Sequence, residues 1–173
     1  MEREVTATSA ASATTASRVR LAAALMLALV LHLTVLAQLD LAEVHADALL
    51  LFAVAAGLTA GPERGAIAGF AAGLAADLFL QSPFGLSALC YSLVGFAVGT
   101  LQTGILRSAW WIPVVTAFGA SALGMGLYAL IGAMVGETQM VGPRLPFIAV
   151  IVGFMNAALA PAAMRLVGWA LKR

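Results

Sequence analysis

From residue 19 onward, long apolar runs alternate with short polar breaks, and the runs predict six helices. The first covers Val19 to Leu39 and is followed by a polar, acidic patch of Asp40, Glu43, His45 and Asp47. The second covers Ala46 to Ala60. The run Gly61 to Gly65 (GPERG) then reads as a tight turn, because Pro62 cannot continue a helix and the flanking glycines relax the backbone. The third helix covers Ala66 to Leu80. The run Gln81 to Gly85 (QSPFG) is a second turn, in which Pro83 pushes Ser82 into an extended conformation. The remaining helices cover Leu86 to Thr103, Trp110 to Val135 and Leu145 to Ala170.

The second and third helices are each near fifteen residues. That gives about 22 Å at 1.5 Å per residue, short of the ~30 Å hydrocarbon core of a bilayer. Either interfacial residues extend both ends, or the pair is a re-entrant hairpin. The basic residues decide between these. If all six helices span, one side collects Arg3, Arg18, Arg20, Arg64, Arg107, Arg165, Lys172 and Arg173, and the other only Arg144. This asymmetry follows the positive-inside rule and predicts both termini in the cytoplasm. A re-entrant pair would invert the last three helices and carry the basic C-terminus outside.

Composition makes a membrane the solvent. Of 173 residues, 62% are hydrophobic and 10% charged, against about 25% charged in a soluble domain. Such a chain cannot cover a globule with a wetted surface. At about 20 residues per span the length also accommodates six helices. The net charge of +1 gives no reason to expect nucleic acid as a partner. The first seventeen residues are small, polar and unpatterned, and read as a disordered cytoplasmic tail. The expected organisation is therefore a tail over 1–17 and a six-helix transmembrane domain over 18–173. The apolar run from Leu21 is too long for a signal peptide and lacks a small-x-small cleavage site, so it is expected to remain as an anchor. Trp110, Trp111 and Trp169 fall at the expected cytoplasmic interface, where amphipathic rings anchor spans. Pro161, inside the sixth helix, is expected to kink it.

Glycine is placed with unusual regularity. Gly57, Gly61, Gly65, Gly69 and Gly73 are each four residues apart, Gly95 and Gly99 form a second pair, and Gly132 and Gly136 a third. A four-residue step turns a helix by about 400°, so such a row drifts only about 40° per turn. Lipid tails are as apolar as leucine, so helices associate in a bilayer by close packing, and glycines let backbones approach. The row reads as a packing groove. Asp77 lies on the same face, four residues beyond Gly73. An ionised carboxylate within a span is costly and rarely faces lipid. It is expected either to contact another helix or a partner, or to reach the interface and cap the QSPFG turn. The nearest donors in sequence are Ser82, Ser87 and the backbone N–H groups that open the fourth helix. His32 and Asn156, within the first and sixth helices, read as bundle-facing hydrogen-bonding residues, and Cys90, the only cysteine, as a packing residue.

The sequence holds no paired-carboxylate site, nucleophile elbow, metal-ligand spacing or phosphate-binding loop. No catalytic residue, cofactor or metal is expected.

The stretch Gly65 to Gly99 (GAIAGFAAGLAADLFLQSPFGLSALCYSLVGFAVG) resembles the rod-shape-determining MreD family. The resemblance is carried by a glycine-rich helix ending in Gly73, Leu74, Asp77 and Leu78, a loop with Pro83, Phe84 and Gly85, and a helix opening Leu86, Ala88 and Leu89 and continuing to Gly95 and Gly99. It implies an all-α, six-span membrane bundle similar to the substrate-binding subunits of energy-coupling-factor vitamin transporters. It also implies a non-enzymatic component of the bacterial elongation machinery in the cytoplasmic membrane. The partners implied are the bitopic scaffold MreC, the elongation transpeptidase and glycosyltransferase, the MreB filament indirectly, and membrane lipids. On this reading Gly65, Gly69, Gly73, Asp77, Pro83, Phe84, Gly85, Gly95 and Gly99 are the helix-packing or partner-contact residues. The alternative is a small-solute transport subunit. For a vitamin pocket the chain offers only Asp77, Gln81, Tyr91, Gln139, Asn156 and the acidic first loop, a thin set that favours the scaffold.

Overall fold

The computed structural model describes residues 2–34, 46–79, 83–105, 111–136, 142 and 144–171. Six α-helices and no strand occur among them: α1 (Glu2–Thr34), α2 (Ala48–Ala60), α3 (Pro62–Asp77), α4 (Leu86–Ile105), α5 (Ile112–Met134) and α6 (Leu145–Leu171). The order and approximate bounds follow the hydrophobic pattern; α3 ends at Asp77, three residues before the expected Leu80, and the other differences that bear on the site lie at the starts of α1, α2 and α3.

α1 begins at Glu2, so the segment expected to be a disordered tail continues the first helix. That segment is rich in alanine and lacks glycine and proline, which suits a helix. Residues 35–39, the expected end of the first span, lie outside the described residues.

α3 starts four residues earlier than the sequence suggests. Pro62 does not sit in a loop. It occupies the first turn of α3, where its fixed φ suits a helix and its missing N–H is no loss. The reversal between α2 and α3 is left to Gly61 alone, at φ +89°. Such a conformation is costly for any residue with a Cβ. α2 starts two residues later than expected, because Asp47 caps it from outside the helix.

α2 is the central helix. Every residue from Leu49 to Leu58 is buried, so it has no outward face. It packs against all five other helices, while α3 and α4 share the most extensive interface in the molecule and α5 and α6 the next. α1 lies at the edge. It buries Ala24 and Ala28 but exposes Met26, Leu27, Val30, Leu31 and Leu33. In water that surface would be a liability, whereas in lipid it has no such cost.

α5 and α6, of 23 and 27 residues, are long and apolar enough to cross a membrane. α1 from Val19, α2, and α4 to Gln102 are shorter apolar helices. α2 and α3, with 13 and 16 residues, extend about 20 and 24 Å. α6 continues through Pro161 as one helix, and Pro161 is on its exposed side. Trp111 and Trp169 are exposed at 52% and 54%, near the same ends of their helices as the basic residues; Trp110 lies outside the described residues.

Candidate functional site

The glycines hold α2, α3 and α4 together backbone to backbone. A Cβ on Gly65 would stand 2.7 Å from the Cα of Gly57 and 2.9 Å from the carbonyl carbon of Gly95. Three helices thus meet at three glycines. One on Gly95 would meet Gly65, and one on Gly99 would stand 2.5 Å from the Cα of Pro62. Further along, a Cβ on Gly69 would come 2.6 Å from the carbonyl carbon of Tyr91, and one on Gly73 would overlap the backbone of Ser87 and Ala88. The obstructing atoms are all backbone, so no side-chain rotation relieves them.

Two glycines in the expected rows do something else. Gly61 has open space around it and serves the α2–α3 turn. Gly136 also has nothing within reach and lies past the end of α5 at φ +96°, its N–H bonded to the carbonyl of Ala133 at 3.3 Å. It is a helix terminator, not a packing residue. Fourfold spacing alone does not separate these roles.

Asp77 closes this unit. It is the last residue of α3 and only 5% exposed. A carboxylate at a helix C-terminus opposes that helix's dipole, but here it faces the N-terminus of α4. Gly85 N–H donates to Oδ2 at 2.9 Å, Ser87 N–H to Oδ1 at 3.1 Å and Ala88 N–H to Oδ2 at 3.3 Å. Gly85 immediately precedes α4, and Ser87 and Ala88 lie in its first turn, where N–H groups have no partner within the helix; bonds to a charged acceptor are stronger than neutral ones. The chain reaches this arrangement through Pro83, Phe84 and Gly85. Pro83 carbonyl accepts from Leu86 N–H at 3.1 Å, and Gly85 adopts φ +98°. Phe84 projects outward, 69% exposed, with Leu78 and Phe79 exposed nearby in sequence. The buried Ser87 hydroxyl has no hydrogen-bond partner among the described residues, and it is the serine's backbone N–H that meets Asp77. Gln81 and Ser82 lie outside the described residues.

A second polar cluster was not expected. Asp47, one of the acidic residues between the first two apolar runs, accepts from Leu49 N–H at 3.2 Å and Leu50 N–H at 2.9 Å, capping α2. Its other oxygen accepts the hydroxyl proton of Tyr91 on α4. Its own N–H donates to Asn156 Oδ1 on α6 at 3.0 Å, Asn156 Nδ2 donates to Ser121 Oγ on α5 at 2.9 Å, and Ser121 Oγ donates to the carbonyl of Ala117 at 2.7 Å. One chain of bonds therefore ties α2 to α4, α5 and α6. Asn156 and Ser121 are essentially fully buried. Buried polar groups must be bonded, and these satisfy one another. The signal available in the sequence was weak: polar residues inside apolar helices must find partners, but those partners lie far apart along the chain.

His32 is partly buried, and its Nδ1 has no hydrogen bond among the described residues. Cys90 is fully buried in the apolar core. No group of three or more potential metal ligands occurs among the described residues.

The family model described as rod shape-determining protein MreD matches residues 14–167. No curated protein and no solved structure matches the chain. The match takes in all of α2 to α5 and most of α1 and α6, including the glycine-packed unit, Asp77 and the second polar cluster: the chain belongs to the MreD family of bacterial inner-membrane proteins, a structural family with a role in rod shape determination.

Proposed function

We propose that this protein is a non-enzymatic membrane scaffold. It would hold an MreC-like bitopic protein and, with it, the elongation transpeptidase and glycosyltransferase at sites of sidewall peptidoglycan synthesis, with MreB filaments engaged indirectly. The observation that carries this reading is that buried Asp77 and half-buried Asp47 are both spent on the fold. Asp77 accepts three backbone N–H bonds, and Asp47 is bonded to α2, to Tyr91 and, through its N–H, to Asn156. A solute-binding subunit needs polar groups aimed into a cavity. Tyr91 and Asn156, two of the residues a vitamin pocket would draw on, are bonded within the bundle instead. The cleft between α1, α2 and α6 is lined, among the described residues, by apolar side chains alone. This favours a rigid body that presents its surface to partners over one that encloses a ligand. On this reading Phe84, with Pro83 and Gly85 shaping its turn, is a partner-contact residue, whereas Gly65, Gly69, Gly73, Asp77, Gly95 and Gly99 act by fixing the surface that partners meet.

The test is co-purification of the tagged protein in mild detergent from its own host, with mass spectrometry of what accompanies it. Enrichment of a bitopic membrane protein and of peptidoglycan-polymerising enzymes is the expected result. A solute-transport ATPase module in their place would favour the transport subunit.

The topology belongs to the same proposal: six spans over 18–173, resembling the vitamin-binding subunits in outline, with both termini cytoplasmic. It rests on the distribution of basic residues. Single cysteines at Ala10 and Arg173 should be shielded from an impermeant thiol reagent in intact cells, and one at Glu43 should be labelled. The native Cys90 is fully buried and should give little background. Labelling at the C-terminus would overturn the six-span arrangement.

A further inference from the structure

We propose that the cleft between α1, α2 and α6 binds one acyl chain of an anionic phospholipid, with the lipid phosphate held against the basic ends of α1 and α6. The cleft has a volume of about 270 Å³, and its walls include Ala28 and Leu31 of α1, Phe52 of α2, and Leu159, Ala162 and Leu166 of α6. At the ~30 Å³ that a water-sized group occupies in a liquid, this admits about nine such groups, or a stretch of a single hydrocarbon chain. A helix is about 10–12 Å across with its side chains, too broad to enter a space of this size. The walls are apolar among the described residues, which therefore offer nothing to orient a polar solute.

Charge complementarity at one end identifies the occupant. On α1 the positions Ala28, Ala24 and Arg20 are four residues apart and run down one face, so Arg20 lies about 12 Å along the helix from the cleft wall and is exposed. On α6 Arg165 is next to Leu166 and one turn from Ala162, and is also exposed. The cleft therefore has hydrocarbon walls and cationic residues on two of its three helices, toward the end occupied by the α1 N-terminal and α6 C-terminal segments. Arginine side chains at such a depth reach the headgroup layer with their aliphatic stems against apolar surface, and anionic headgroups are attracted to clustered cations there. A zwitterionic lipid such as phosphatidylcholine would fill the cleft equally well, but its choline cation offsets the phosphate charge, so it would gain less from the arginines.

This inference rests on the proposed topology only in placing the two basic ends at one membrane face. Its test needs neither a partner nor an orientation. The full chain is purified into mixed micelles containing equal amounts of dioleoyl phosphatidylglycerol and dioleoyl phosphatidylcholine, and retained lipid is counted by native mass spectrometry. The expected result is one phosphatidylglycerol retained with several-fold preference over phosphatidylcholine. Arg165→Gln should reduce that preference without reducing total lipid. Ala162→Phe, a change on an exposed wall position, should reduce retention of both lipids while the protein stays monodisperse. Equal retention of the two lipids by the unaltered protein overturns the proposal, as does unchanged retention in Ala162→Phe. If Ala162→Phe instead released a co-purifying membrane protein or a second copy and left lipid content unchanged, the cleft would be a protein-docking surface and the proposal would fall. The co-purification and thiol-labelling results are read separately, so a failed scaffold reading leaves the lipid measurement standing.

Discussion

Gly69→Ala should destabilise the detergent-solubilised protein severely, and Gly69→Ile or Gly73→Ile should abolish the folded state. Alanine is small and a better helix former than glycine, which would make it tolerable on an open helix face. The structure removes that tolerance. An added methyl at Gly69 lands on the carbonyl of Tyr91, and one at Gly73 on the Ser87–Ala88 peptide. Overpacking typically costs about 1–3 kcal/mol when side chains can adjust. Here the obstructing atoms belong to α4's backbone, so two whole helices must separate and forfeit contact along their length. The same bundle supplies its own controls. A Cβ at Gly124 would stand 2.9 Å from a terminal methyl of Leu50, which can rotate away, so Gly124→Ala should cost far less. Gly119 and Gly126 have nothing within reach on the exposed face of α5, so alanine there should be neutral. The measurement is the thermal midpoint of monodisperse protein by fluorescence-detected size exclusion. Equal midpoints for Gly69→Ala and Gly119→Ala would mean that α3 does not pack against α4 through its glycines.

That contrast also marks what the sequence could convey. Fourfold glycine spacing in an apolar helix signals close packing because few other causes produce it, and the α3–α4 contact was legible for that reason. The spacing cannot say which glycines pack. Gly61 and Gly136 keep the interval but adopt positive φ at helix ends, and only the chain path distinguishes them. Pro62 misled in a simple way. Proline is costly in a helix interior and suits a helix start, and a sequence shows the residue before it shows the position. The role of α2 was hidden for another reason. Ten consecutive buried residues have no periodicity to read, so a short span and a central core helix look alike. The Asp47 cluster was the least accessible. Asp47 and Tyr91 are 44 residues apart, and Asp47 and Asn156 are 109 apart. Tyr91 and Asn156 could be noted as polar residues in need of partners, but Asp47 sat among other loop acids with nothing to set it apart.

Asp77→Leu should destabilise the protein by several kcal/mol, whereas Asp77→Asn should be mild. The carboxylate accepts three N–H bonds at the start of α4 from a position that is 5% exposed. Leucine fills similar space but leaves those donors buried without an acceptor. Each buried, unsatisfied donor costs about 1–3 kcal/mol, so the total exceeds the roughly 1 kcal/mol of a typical substitution. Asparagine keeps one oxygen that can accept from Gly85 or Ser87 and loses the charge assistance, which costs about 1–2 kcal/mol. Stability and function should therefore fall together in the order Asp, Asn, Leu. The transport reading predicts another order. A carboxylate that carried protons or paired with a cationic solute would lose its function on becoming an amide, however well the amide held the fold. The decisive comparison sets thermal stability against rescue of rod shape when each variant is the cell's only copy. Rescue by Asp77→Asn with failure of Asp77→Leu supports the structural role. Failure of Asp77→Asn in a protein that purifies folded and at normal yield would show that the charge itself is used, and the transport subunit would become the better account of the chain.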